Sequence, residues 1–143
     1  MKSKFILLFF IALSVMCLEV KGINMPSQNQ HFDSLRVKAQ KLINTPEEII
    51  YLDSMLNLAR SMDSIRWQCQ TMNYMVRNYY NRMIPDSLMY WADQLDELAL
   101  ENDYYAYFFD AYSLVCFWEL YDKNYDSALD KANRLYLLAK DLD

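Results

Sequence analysis

DSLMYWADQLDELALEND, residues 86–103, and DSALDKANRLYLLAKDLD, residues 126–143, are one helical pattern written twice, 40 residues apart. Asp86-Ser87 falls on Asp126-Ser127, Ala92 on Ala132, Leu95 on Leu135, Leu98-Ala99 on Leu138-Ala139, and Asp103 on Asp143. One step earlier, Asp53, Leu58, Ala59 and Asp63 fall on Asp93, Leu98, Ala99 and Asp103. The stretches between them, 64–83 and 104–121, match only in apolar placement. There Ile65 pairs with Tyr105, Trp67 with Tyr107, Met72 with Tyr112, Met75 with Val115, Val76 with Cys116 and Tyr80 with Leu120. A helix pair recurring at a fixed period buries its apolar face on the next pair, which predicts an α-solenoid.

Outward from this repeat, the 3.6-residue pattern predicts six helices, at about 32–43, 46–61, 64–83, 86–101, 104–121 and 126–141. Thr45-Pro46-Glu47-Glu48 has the form of a capping box, with Pro at the first helical position. Asp63-Ser64, Asp86-Ser87 and Asp126-Ser127 offer further N-caps, since their side chains accept bonds from first-turn amides. Composition agrees with an all-α chain. The 143 residues are 54% apolar, enough for a packed core, yet contain one Gly and three Pro. All-β and doubly wound folds need glycines for tight turns and phosphate loops.

The same counts bear on chemistry. One glycine, Gly22, cannot write a phosphate loop, a dinucleotide fingerprint or a nucleophile elbow. The single histidine, His31, has no second His or nearby Cys to complete a metal set. No catalysis, no cofactor and no metal are expected.

The N-terminus reads as an address. Met1-Lys-Ser-Lys4 supplies positive charge, and residues 5–18 are an apolar run broken only by Ser14. That run is short for a membrane span of roughly 20 residues and suits a signal peptide, 1–22, cleaved after Val20-Lys21-Gly22. An uncleaved anchor is the other reading; Cys17 fits a lipoprotein signal poorly, because Met16 before it is bulky. Either way the remainder lies outside the cytoplasm, in the periplasm or its equivalent. Residues 23–31 read as a flexible linker and 32–143 as the helical repeat domain.

Cleavage removes Lys2, Lys4, Lys21 and Glu19, three positive charges and one negative, so the net charge moves from −5 to −7. An acidic domain is a poor binder of nucleic acid, whose phosphates need Lys and Arg. Cys69 and Cys116 both fall in apolar helical stretches and read as small buried core residues, with a disulfide as the alternative.

Tyr125-Asp126-Ser127-Ala128-Leu129, followed by Ala132, Leu135 and Ala139, resembles the second helix of a tetratricopeptide repeat. Cys116 takes the small-residue place of the first helix, and Val115 the apolar place before it. The earlier unit resembles the pattern through Met75, Val76, Tyr79, Leu88 and Leu95, so the likeness covers residues 46–143. The chain departs from the pattern in its absent glycine, in Glu119 where an aromatic is common, and in Pro85 where Tyr125 stands in the next unit. Its pitch also exceeds the usual repeat of about 34 residues, so longer helices are implied, and HEAT-like repeats remain the structural alternative.

The resemblance implies a groove that binds a peptide or protein partner. Carried over by position, its lining is Gln70, Asn73, Arg77, Tyr80 and Asn81, then Asp110, Ser113, Phe117, Leu120 and Tyr121. Asn73, Arg77 and Asn81 lie on one stripe of a helix and could clasp a carboxylate or peptide backbone, with Tyr80, Phe117 and Tyr121 as aromatic contacts. The bland reading of the same residues is a solvated helix face.

Four further features bear on function. Tyr104, Tyr105, Tyr107, Phe108, Phe109 and Tyr112 occupy every face of one helix, so some are expected at an interface. Asp122-Lys-Asn124-Tyr-Asp126 imitates a calcium loop but lacks the glycine and the twelfth-position Glu, so a turn and cap explain it. Asp93, Asp96, Glu97 and Glu101 face away from the Ala92–Leu95–Ala99 stripe and read as a solvated face. Finally, the last helix carries an apolar stripe with no polar capping helix after it, as at the front of a longer array.

The expected function is a non-enzymatic protein- or peptide-interaction module, with further repeats of the chain or a second copy as possible partners and no nucleic acid. The membrane enters only through an uncleaved signal or a downstream segment. The alternative is the extracytoplasmic sensor region of a bacterial membrane signalling protein, a histidine kinase or transcriptional regulator; this rests on analogy alone.

Overall fold

The computed structural model describes residues 27–142. The signal-type segment 1–22, the first residues of the linker and Asp143 lie outside them. Among the described residues the fold is all-α, with no strand: α1 Gln28–Gln40, α2 Glu48–Ser61, α3 Ile65–Asn81, α4 Pro85–Glu101, α5 Tyr105–Tyr121 and α6 Tyr125–Asp141. Each helix packs on its sequence neighbours, and α3 also packs against α5, as in a helical repeat. No described helix is long and apolar enough to cross a membrane.

The repeat has a half-period that the sequence only implies. Helices α3 to α6 are each 17 residues long, and the turns that precede them sit 20 residues apart. Each turn places one non-glycine residue in the left-handed region: Asp63 at φ 51°, Met83 at 58°, Asp103 at 61° and Lys123 at 64°. The next amide then bonds back five residues, Ser64 to Ala59 O at 2.9 Å, Ile84 to Tyr79 O at 3.0 Å, Tyr104 to Ala99 O at 2.8 Å and Asn124 to Glu119 O at 2.8 Å. This is the Schellman closure of a helix, normally made with glycine. Here Asp, Met and Lys fill the place, Asp tolerating it best. The chain thus makes identical tight turns without glycine.

Two expected helix starts and two expected caps move. The first helix starts at Gln28 rather than residue 32, because Ser27 and Gln30 form a reciprocal capping box, so residues 28–31 are helix and not linker; His31 is exposed on it. The second helix starts at Glu48 rather than residue 46. Thr45 Oγ1 donates to Leu42 O at 2.7 Å instead of capping, and Glu48 turns to the Asn44 amide at 2.7 Å. Asp86 and Asp126 are not caps but lie inside the first turns of α4 and α6, where their charge favours the helix dipole.

The core runs through the middle of the stack. Leu52, Met55, Leu56 and Ala59 of α2 join Cys69, Met72, Met75 and Val76 of α3, Leu88, Ala92, Leu95 and Ala99 of α4, and Phe108, Ala111 and Val115 of α5. The N-terminal end is closed by Phe32 of α1, stacked on Trp67 at 4.2 Å. Burial of each large side chain contributes on the order of 2 kcal/mol. The last helix adds only Ala128 to the fully buried set. Cys69 and Cys116 are buried free thiols, as the apolar reading expected. Burial raises both, Cys69 to about 11, so neither is a thiolate at neutral pH.

Candidate interaction groove

A trough runs between α3, α5 and the turn joining α1 to α2. It consists of three adjoining hollows of about 280, 220 and 160 Å³. Asn81 lines all three, Tyr80 and Arg77 two each. The turn side is set by Asn78, which is fully buried. Its Nδ2 donates to Thr45 O at 3.0 Å and Glu48 Oε2 at 2.7 Å, while its Oδ1 accepts from Arg82 at 3.2 Å. Asn81 Nδ2 donates to Asn44 Oδ1 at 2.8 Å, which carries the link to the trough floor.

All three members of the stripe expected to clasp a ligand are already engaged, Asn81 by Asn44 and the other two by one carboxylate. Asn73 is only 5% exposed, and its Nδ2 donates to Asp110 Oδ2 at 2.9 Å. Arg77 donates to the same oxygen. The carboxylate that these side chains were expected to take from a ligand is therefore supplied by α5 of the same chain. Asn73 acts as a strut between units, and a competing carboxylate would have to displace Asp110. Arg77 stays half-exposed at the trough wall, and Asn81 is exposed.

The aromatic members are placed differently. Tyr80 is half-buried and lines the trough. Tyr121 is 69% exposed and forms one hollow with Tyr80, Asn81, Met83 and Trp118. Phe117, 56% exposed, shares a helical stripe with Ser113 and Tyr121, although it lines none of the three hollows. Sequence reading did not find Gln40, Ile43, Asn44, Glu48 and Tyr74, which line the most enclosed hollow. Gln40, Ile43, Asn44 and Glu48 come from the α1–α2 junction, which no repeat spacing links to α3, whereas Tyr74 shares the face of Arg77 and Asn81 on α3 at i, i+3 and i+7 and was open to the same reading.

The aromatic run of α5 is more covered than expected. Phe108 is buried, and Tyr104, Tyr105, Tyr107, Phe109 and Tyr112 are all partly buried. Arg134 of α6 closes over Phe108 and Tyr112, 5.4 and 4.9 Å from the ring centres, while donating twice to Asp96 of α4 at 2.7 and 3.0 Å and once to Tyr112 Oη at 3.1 Å. Asp96 is thus a cross-unit anchor and not part of a solvated acidic face. Glu119, where the repeat pattern has an aromatic, bonds Lys131 Nζ at 2.8 Å and Asn124 Nδ2 at 2.8 Å and ties α5 to α6. The Lys131 bond holds its carboxyl below the usual glutamate range.

No group of His, Cys, Asp and Glu among the described residues has the arrangement of a metal site. Known protein-family models, curated proteins and solved structures give no match to this chain.

Proposed function

We propose that the chain is an exported, non-enzymatic interaction module of tetratricopeptide-like helix pairs, and that the α3–α5 trough binds a peptide or an extended segment of a partner protein. One observation carries this reading: three hollows merge along Asn81, with Tyr80, Met83 and Tyr121 as apolar walls. Amide and aromatic side chains on a rigid two-helix floor suit a peptide, since the amides bond its backbone and the rings supply contact area at low entropic cost. Internal neutralisation of Arg77 by Asp110 favours neutral or mixed sequences over a bare terminal carboxylate. The apolar run at residues 5–18 supports export.

The test is selection from a displayed random-peptide library with the wild-type chain, followed by titration against Asn81→Ala and Tyr121→Ala. Both positions are exposed, so both variants should keep the wild-type helical signal. Enriched peptides should lose about tenfold or more in affinity for each variant. Peptides that bind both variants as tightly as wild type would place recognition elsewhere.

A further inference from the structure

The outer face of α6 carries Tyr125, Leu129, Ala132, Tyr136 and Ala139, a stripe at spacings of three and four. All five are exposed, Leu129 by 61% and Tyr136 by 66%. On α4 the residues 40 places earlier include Ala92 and Ala99, both buried where α5 packs beside them. Nothing in the described chain takes that place on α6, which packs along α5 and reaches α4 at its flank through Arg134 to Asp96.

The stripe is complementary to itself. In an antiparallel pair crossing at Ala132, positions that sum to about twice 132 face each other. Tyr125 then lies over Ala139 of the second copy, Leu129 against its Tyr136, and Ala132 on Ala132 at the point of closest approach. Tyr125 covers the small Ala139 at each end, Leu129 and Tyr136 supply the apolar contact on either side of the centre, and the central alanines let the backbones come near. A two-fold axis perpendicular to the helix pair also keeps like flanks together. Asp126 and Lys140, both on the Asn133 side of the stripe, therefore fall opposite each other across the seam, twice per dimer. The two flanks that face away are those held to each copy's own α5 by Leu135 and by the Lys131–Glu119 bond.

We infer that α6 is a self-association surface and that its occupant is a second copy of this chain, paired antiparallel about Ala132. An isologous contact of this kind closes after two copies. It brings two troughs into one assembly, so a partner with two binding segments gains from effective concentration without any new contact.

Cysteine crosslinking of the full chain tests this in a Cys17→Ser background, with Cys69 and Cys116 buried. Ala132→Cys should oxidise to a covalent dimer at least several-fold faster than Asp130→Cys, an exposed position about 160° round the same helix from Ala132. Adding Lys140→Asp should slow the Ala132→Cys crosslink several-fold, and adding Asp126→Lys to that variant should restore it. Unchanged circular dichroism establishes that each variant is folded. Equal crosslinking at positions 132 and 130, or a rate indifferent to the charge reversal, overturns the proposal. Such a result would leave the face to a helix of other origin.

Discussion

Helices α4 and α6 carry the same Asp-Ser pair in their first turns and share Ala92/Ala132, Leu95/Leu135, Leu98/Leu138 and Ala99/Ala139, yet three of these four pairs differ in burial. In α4 the two alanines and Leu95 are fully enclosed between α3 and α5. In α6 the matching alanines are exposed, and Leu135 is only partly covered. The difference is not in the residues. It lies in how many neighbours each helix has, since a solenoid unit draws its stability from both flanking interfaces. Identical side chains therefore contribute unequally, and the inequality can be measured.

The largest separation is expected at the matched leucines. Leu95→Ala leaves a cavity in a closed site and should cost about 3 kcal/mol in urea unfolding. Leu135→Ala removes the same atoms from a half-open site that water can refill, and should cost roughly 1 kcal/mol. Equal losses would mean that α6 is as fully packed as α4, and the comparison would fall.

A second, smaller effect concerns what holds α6 in place without a second neighbour. Arg134 reaches back to Asp96 with two bonds and covers Phe108 and Tyr112, so one residue joins α4, α5 and α6. The pair is partly exposed, which limits its Coulombic part. Arg134→Ala should cost about 1 kcal/mol through lost packing and pairing together. Asp96→Asn, which keeps the ring contacts, should cost clearly less; a full loss from Asp96→Asn would assign the effect to charge rather than cover.

The turns sharpen the comparison from another side, because all four have one geometry and three residue types. Met83 and Lys123 hold left-handed backbone at a cost that Asp63 and Asp103 largely avoid. Met83→Gly should raise stability by about 0.5 to 1 kcal/mol, and Asp103→Gly by little or nothing. An equal gain at both would remove the distinction between the residue types.

These turns also mark where sequence reading stopped. Six helices and the 40-residue pair period were legible because Ala, Leu and Asp recur at the same places in successive units. The 20-residue half-period was hidden: its four turn residues are Asp, Met, Asp and Lys, and the usual glycine signal is missing. In the trough, Arg77, Tyr80, Asn81 and Tyr121 were reachable from their places on α3 and α5. Asn44 and Glu48 were not, because the α1–α2 turn meets α3 through Asn78, a contact 30 residues distant that no helical spacing encodes. Asn73 and Arg77 were assigned to a ligand, with Asn81, because the repeat resemblance implies groove positions there and the three share one stripe of α3. Their acceptor, Asp110, lies on another helix, and only the packing of α3 on α5 brings it near.

The smallest effect is a pH dependence where α6 meets α5. Glu119 accepts from Lys131 and Asn124, and the Lys131 bond holds its carboxyl below the ordinary value, more than its partial burial raises it. A folded-state value below the unfolded one means that the unfolded chain binds the proton more readily as pH falls. The contribution is therefore fully present above the unfolded glutamate value, near 4.5, and is lost as pH drops through the depressed folded value. Glu119→Gln removes that term, on the order of 0.5 kcal/mol for a partly solvated pair. Urea midpoints of wild type and Glu119→Gln, taken from pH 7 to pH 3, should differ at neutral pH and converge in acid. Parallel curves over that range would show that the bond adds nothing to holding α6 on α5, and Arg134 would then be the main polar tie of the last helix.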